Sequence, residues 1–327
     1  MTSPAQAVGQ IVEAAGPRVP ALLADVEDSL AELARGHGEV LASHAGATIA
    51  AGGKRLRPLL VLLAAGPPDD DAPDVVRCAV SVELVHSATL VHDDVLDAAD
   101  LRRGRSTVWA SAGRDMAIAV GDLLFSRAFA ELALTGSLAS VRSLSRASSA
   151  LAEGELLQRE DAWNADVSVE RYLHRCELKT AALFEASCEL GAQHGARGTE
   201  RGLRAFGRRI GLAFQLLDDV LDVSGPPERT GKPRGTDLLD GTVTLPLILA
   251  RERDPDLRAL DVRAIDGPEA AAEVCDRIAA TGALEESRRR ALEVVAEAKT
   301  ALPHRRLGDG QRTALELVAD SVVDRYS

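Results

Sequence analysis

Five residues, Asp-Asp-Val-Leu-Asp, occur twice without change in this chain, at 93–97 and again at 218–222. Each copy sits inside otherwise apolar sequence, ATLVHDDVLDA and FQLLDDVLDV. Around them apolar residues recur at helical spacing, as in Ile210, Phe214, Leu217 and Leu221. On a helix, positions i and i+4 share a face, so Asp93 projects with Asp97 and Asp218 with Asp222. The stripes extend upstream through Glu83 and His86 on one side and Gly211 and Gln215 on the other. Like charges at this spacing repel by roughly 0.2–0.5 kcal/mol per pair. Removing a carboxylate from water without compensation costs far more. A cation is the natural remedy. Oxygen ligands with no Cys among them favour a hard ion, Mg²⁺ over Zn²⁺. Mg²⁺ takes one or two carboxylates and completes its shell with water and substrate phosphate. One such pentad alone reads as a solvated acidic face. Two identical ones in apolar helices point to a metal–phosphate site.

The rest of the chain fits a helical scaffold. It has 327 residues, is 46% hydrophobic, and carries only nine aromatic side chains (Phe 5, Trp 2, Tyr 2). There is no alternating strand pattern and no hairpin dipeptide between alternating runs. Loops are short and no shift in composition marks a boundary. The expectation is all-α: one domain over residues 1–327, a helical bundle around a deep central cavity. A net charge of −12 excludes a general nucleic-acid binder. Cys78, Cys176, Cys188 and Cys275 match no zinc spacing and read as buried thiols of a reducing cytosol. The longest strongly apolar run, Leu59–Ala65, falls short of a membrane span, and the first twenty residues lack secretory features. A cytoplasmic protein without a transmembrane segment is expected.

Phosphate also needs cations. GGKRLRP at 52–58 places Lys54, Arg55 and Arg57 after a flexible turn, and LRRGR at 101–105 follows the first pentad by four residues. Arginine forks suit bidentate phosphate contacts, while lysine acts as a point charge. Lys179 in CELKTAALF and Lys232 in TGKPRGTDL add two more. Taken singly, each reads as a solvated basic residue, and His86, Gln158 and Gln215 as ordinary polar helix residues.

Taken together and in order, these segments resemble the trans-type, head-to-tail polyprenyl diphosphate synthases. The resemblance covers roughly residues 50–250. GGKRLRP, ELVHSATLVHDDVLDAADLRRG, VGDLLFSRAF, GELLQ, KTAALFEAS, FQLLDDVLD, GKPRGTDL and TLPLI all have counterparts there. It implies a prenyltransferase that joins isopentenyl diphosphate to an allylic diphosphate (geranyl, farnesyl or geranylgeranyl). It further implies that Lys54, Arg57, His86 and Arg103 hold the isopentenyl diphosphate. Arg102, Lys179 and Lys232 would hold the allylic diphosphate, and Thr180 and Gln215 would face the allylic cation. Asp93, Asp97 and Asp218 would ligate Mg²⁺, about three ions per site, with Asp94, Asp219 and Asp222 in support. A homodimer is implied as well. The chain departs from the family at Thr242, where lysine is common, which removes one cation from the allylic side.

The resemblance also frames product length. The product would thread along the first pentad's helix, where each turn rises roughly 5.4 Å, close to one isoprene unit. One turn upstream of Asp93 stand Ala88 and Thr89, both small where short-chain members carry aromatics. Val85 and Ser81 lie deeper, and Phe125, Phe129 or Leu132 on the next helix would form a floor. A product of about thirty-five to fifty carbons is expected, with a twenty-carbon geranylgeranyl product as the alternative. A class I terpene cyclase or an inactive partner subunit fits less well, since both pentads and the arginines are intact.

Overall fold

The computed structural model describes residues 4–35, 38–50, 52–66, 72–102, 104–226 and 233–324. In chain order the helices are α1 (Pro4–Ala15), α2 (Arg18–Ala34), α3 (Glu39–Ala50), α4 (Leu56–Ala65) and α5 (Pro73–Leu96). They continue with α6 (Val108–Ala112), α7 (Arg114–Ala133), α8 (Leu138–Glu160), α9 (Val169–Cys176), α10 (Ala182–Ala192) and α11 (Glu200–Ser224). The last six are α12 (Thr236–Leu239), α13 (Leu245–Arg253), α14 (Pro255–Ala259), α15 (Pro268–Ala280), α16 (Ala283–Ala301) and α17 (Asp309–Asp324). The all-α expectation holds, with one exception. Leu101–Arg102 (β1) and Arg105–Ser106 (β2) pair antiparallel around Gly104. Two-residue strands are too short to leave an alternating pattern, so the sequence reads as a basic loop there.

The core is assembled around α10, which packs on α4, α5, α8 and α11. Its residues Leu183, Phe184, Ala186, Ser187, Cys188, Leu190, Gly191 and Ala192 are buried. Removing a Phe or Leu side chain from water contributes roughly 1.5–3 kcal/mol each, which makes this apolar helix the organising element. Small residues allow the close approach: a Cβ at Gly207 of α11 would lie 2.5 Å from the Phe184 carbonyl oxygen. All four cysteines are buried and free. Helix α5 is far longer than the Leu59–Ala65 run and still largely apolar. Its best 18-residue window has mean hydropathy 1.2, enough to cross a membrane by length and composition, yet 67% of that window is buried. Packing against α2, α4, α7 and α10 accounts for that apolar character.

Both pentads fall at helix C-termini. Helix α5 ends at Leu96 with Asp97 as its C-cap, and Ala98 follows at φ +48°. Helix α11 ends at Ser224, two residues beyond Asp222. The negative end of each helix dipole therefore adds to the carboxylates rather than relieving them. That placement strengthens the demand for cations beyond what the pentads alone imply.

Candidate active site

Asp93 and Asp97 from α5 meet Asp218, Asp219 and Asp222 from α11 on the wall of one cavity of about 880 Å³. Lys54, Arg102, Gln158, Arg159, Tyr172, Arg175, Lys179, Thr180, Gln215, Asp237, Asp240, Thr242 and Thr244 line it too. Gln6 and Ile11 of α1, with Ser321 and Asp324 of α17, form part of the wall from the two ends of the described chain.

The wall between α9 and α10 is irregular for a reason. Glu177–Ala181 forms a π turn carrying Lys179 and Thr180. Such turns insert one residue into a helix and re-aim the side chains beside them. Glycine makes room on both flanks. A Cβ at Gly154 of α8 would lie 2.5 Å from the Lys179 backbone nitrogen, and one at Gly211 of α11 would lie 2.6 Å from the Ala181 Cα. Thr180 Oγ1 donates to Gln215 Oε1 at 2.7 Å, and Gln215 Nε2 donates to Asp219 Oδ1 at 2.7 Å. Tyr172 Oη completes the chain by donating to Asp219 Oδ2 at 2.5 Å.

On the opposite side, protein cations already meet the first pentad. Arg102 Nε donates to Asp94 at 2.7 Å, and an Arg159 NH2 group donates to Asp97 at 2.7 Å. Lys179 pairs with Glu155. Burial opposes ionisation of Glu155, but Lys179 and Arg159 together hold its carboxyl below the usual range. Asp93 is pushed up to about 6, chiefly by burial, with Lys179 pulling the other way. Burial likewise drives Asp219 to about 7 despite its hydrogen bonds from Tyr172 and Gln215. Asp237 rises well above the carboxylate range, through burial and then through Asp222, Asp219 and Asp218. Its backbone N–H donates to Asp222 Oδ2 at 3.2 Å.

Asp93 and Asp219, buried and crowded by neighbouring carboxylates at two helix ends, are groups whose ionised form a nearby positive charge would favour. Among the described residues no three His, Cys, Asp or Glu side chains close into a metal cage. The residues present suit a hard cation whose shell is completed from outside the protein, because the lining donors of both pentads are carboxylate oxygens.

The remaining sequence candidates are distributed as follows. Lys54 reaches the cavity, whereas Arg57 lies behind it in the first turn of α4. Its guanidinium stacks 4.5 Å from the Phe184 ring centroid, its Nε is buried without a hydrogen-bond partner, and burial lowers it to about 10. Arg55, with φ +46°, is held by Glu27 at 2.5 Å and by buried Glu83 at 2.7 Å. Glu83 and His86 lie outside the cavity lining, and so does Asp94. The expected length-determining residues do not face the cavity either. Ala88 and Val85 are fully buried, Thr89 donates to the His86 carbonyl at 2.8 Å, and Phe129 packs at the edge of the core. Arg103 and Lys232 lie outside the described residues.

Reasoning from sequence did not single out Glu155, Arg159, Tyr172, Arg175, Asp237 and Asp240. Glu155 and Asp237 sit within GELLQ and GTDL, so their segments were marked although their roles were not.

Residues 39–280 match the polyprenyl synthetase family. The chain belongs to the polyprenyl synthetase family. This synthetase is 40% identical over 273 residues to heptaprenyl diphosphate synthase component 2 of Geobacillus stearothermophilus, covering 81% of this chain and 84% of that one. It is 38% identical over 260 residues to octaprenyl diphosphate synthase of Escherichia coli K12, covering 78% and 80%. The fold superposes on a polyprenyl synthase from Caulobacter crescentus CB15, complexed with calcium and isoprenyl diphosphate. That match has a TM-score of 0.89 at 34% identity over 98% of each chain. The synthetase is thus a prenyltransferase with the isoprenoid-synthase fold.

Proposed function

We propose that this synthetase condenses isopentenyl diphosphate head-to-tail with an allylic diphosphate, geranyl, farnesyl or geranylgeranyl, to give an all-trans polyprenyl diphosphate. One observation carries the reading: two identical aspartate pentads end two different helices on one cavity that also holds Lys54, Arg102, Arg159, Arg175 and Lys179. The allylic carbon–oxygen bond ionises, the isopentenyl double bond attacks the cation, and a proton leaves the new carbon–carbon unit for the departing diphosphate.

Asp93, Asp97 and Asp218 would hold Mg²⁺, about three ions in all, with Asp94, Asp219 and Asp222 orienting them. Bound Mg²⁺ supplies charge neutralisation at the leaving diphosphate. Lys179 leaves Glu155 for the allylic diphosphate, joined by Arg102 and Lys232. Thr180 and Gln215 present oxygen dipoles to the allylic cation. Lys54, Arg57, His86 and Arg103 hold the isopentenyl diphosphate.

Long-chain products, about thirty-five to fifty carbons, fit the small residues Ala88 and Thr89 one turn from Asp93. The names of the heptaprenyl and octaprenyl relatives point the same way. A homodimer fits the exposed apolar side chains Ile118 on α7 and Leu138 and Leu156 on α8. The relative named component 2 makes a second, different subunit the competing arrangement. The free, buried cysteines accord with a cytoplasmic enzyme.

The test is incubation of the purified chain with labelled isopentenyl diphosphate, Mg²⁺ and each primer, with chromatography of the dephosphorylated products. Long allylic alcohols support the reading. Consumption of the primer alone, to a hydrocarbon, overturns it. Turnover by this chain without any partner excludes the two-component arrangement.

A further inference from the structure

The second pentad's side of the cavity is dominated by acids. Asp218, Asp219, Asp222, Asp237 and Asp240 all line it, and the loop that follows contributes only Thr242 and Thr244. Arg175 lies on this side. It is 3% exposed, yet it reaches the cavity wall. One terminal nitrogen donates to the Val243 carbonyl at 2.6 Å, between the two threonines. The other faces Asp161, itself 1% exposed, at 3.4 Å. The guanidinium lies 5.5 Å from the Tyr172 ring centroid and stabilises the ionised form of Asp219. The loop that carries the Val243 carbonyl is itself held. Trp163, at φ +63°, donates its backbone N–H to the Gly241 carbonyl at 2.8 Å, and a Cβ on Gly241 would strike its ring at 2.4 Å.

A buried arginine with one carboxylate and one carbonyl partner keeps further N–H donors. Its field works in a site shielded from water, where a fixed charge acts more strongly than at a surface. Building on the prenyltransferase reading, we infer that Arg175 supplies the allylic diphosphate with the positive charge that the loop at Thr242 does not. The Asp161 pair and the Val243 carbonyl hold that charge in place. The ligand is an organic diphosphate whose leaving group lies against α9 and the Asp240–Thr244 loop.

The test measures KM for each substrate separately in four enzymes: wild type, Arg175→Gln, Thr242→Lys and the double variant. Arg175→Gln is expected to raise the allylic KM about tenfold or more while the isopentenyl diphosphate KM stays within about twofold. Adding Thr242→Lys to it is expected to restore the allylic KM to within about threefold of wild type. A merely structural arginine would not be rescued by a lysine introduced on the neighbouring loop. An unchanged allylic KM in Arg175→Gln, or a loss that Thr242→Lys does not restore, overturns the inference. If Arg175→Gln does not fold, Thr242→Lys alone decides. A change under about threefold means the charge is already present, and a tenfold gain means it was missing. Wild-type turnover in the same assay separates this outcome from failure of the prenyltransferase reading itself.

Discussion

Tyr172 and Asp219 are joined by a 2.5 Å hydrogen bond that ties α9 to the second pentad, 47 residues away in sequence. Both groups are buried, and burial with the nearby Asp219 charge pushes the phenol up well beyond its ordinary range. The phenol is therefore a fixed donor. Tyr172→Phe leaves Asp219 with Gln215 as its side-chain donor. Removing one partner of a buried hydrogen bond costs about 1–3 kcal/mol. Urea melts should show a loss of that size, and kcat should fall while both KM values change little. A variant with wild-type stability and wild-type kcat would show that the bond positions nothing.

Replacing the pentads' lead residues tests the site directly. Asp93→Asn and Asp218→Asn are each expected to lower turnover by about 10² or more, because on the proposed assignment they hold the cations that neutralise the leaving diphosphate. The circular dichroism spectrum should not change, since Asp93 is already reluctant to ionise. Near-normal turnover in both variants would sink the assignment.

Crowded acids also give the metal-free protein an inverted response to pH. An aspartate in the unfolded chain titrates near ~3.9. Folded Asp93 and Asp219 titrate at about 6 and about 7. Between these values the folded state holds protons that the unfolded state has released, so this contribution to stability is lost as pH rises. In EDTA, the melting temperature should therefore fall between about pH 5 and pH 7.5, and Asp219→Asn should flatten the slope. Added Mg²⁺ should raise the melting temperature most at the upper end, where the carboxylates are ionised. A slope identical in wild type and Asp219→Asn would remove these groups from the explanation.

Product length has a sharper test now that Ala88 is known to be fully buried. Ala88→Phe must push its core neighbours apart, at a cost of about 1–3 kcal/mol. If the helix gates elongation, products shorten as well. A drop in melting temperature with an unchanged product distribution would mean that Ala88 is core and the gate lies elsewhere.

What the sequence revealed and what it hid follow from the range of the interactions. Asp93, Asp97, Asp218 and Asp222 were legible because i,i+4 spacing is a local property, as was the helical periodicity of α5 and α11. Arg159 and Tyr172 were not, because their partners lie 62 and 47 residues away and nothing local marks the pairing. Arg175 is the second of two arginines in RYLHRCELKT, indistinguishable in sequence from a surface residue until Asp161 and Val243 close around it. Asp94 belongs to the pentad yet lies outside the cavity lining, accepting from Arg102, which lines it. The helical period alone told neighbours apart only by angle, and the end of α5 at Leu96 supplied the rest.

The π turn at Glu177–Ala181 has a consequence for how the enzyme can change. One extra residue shifts the helical phase by roughly 100°. The rod from Val169 to Ala192 therefore runs in two registers, with α10 facing inward to the core and the turn facing the cavity. A substitution that repacks Phe184 or Cys188 need not rotate Lys179, and a change at Lys179 need not disturb the packing of α10. Substrate preference and thermal robustness can diverge independently along a single stretch of chain. Deleting one residue from the turn would merge the two registers and force them to change together.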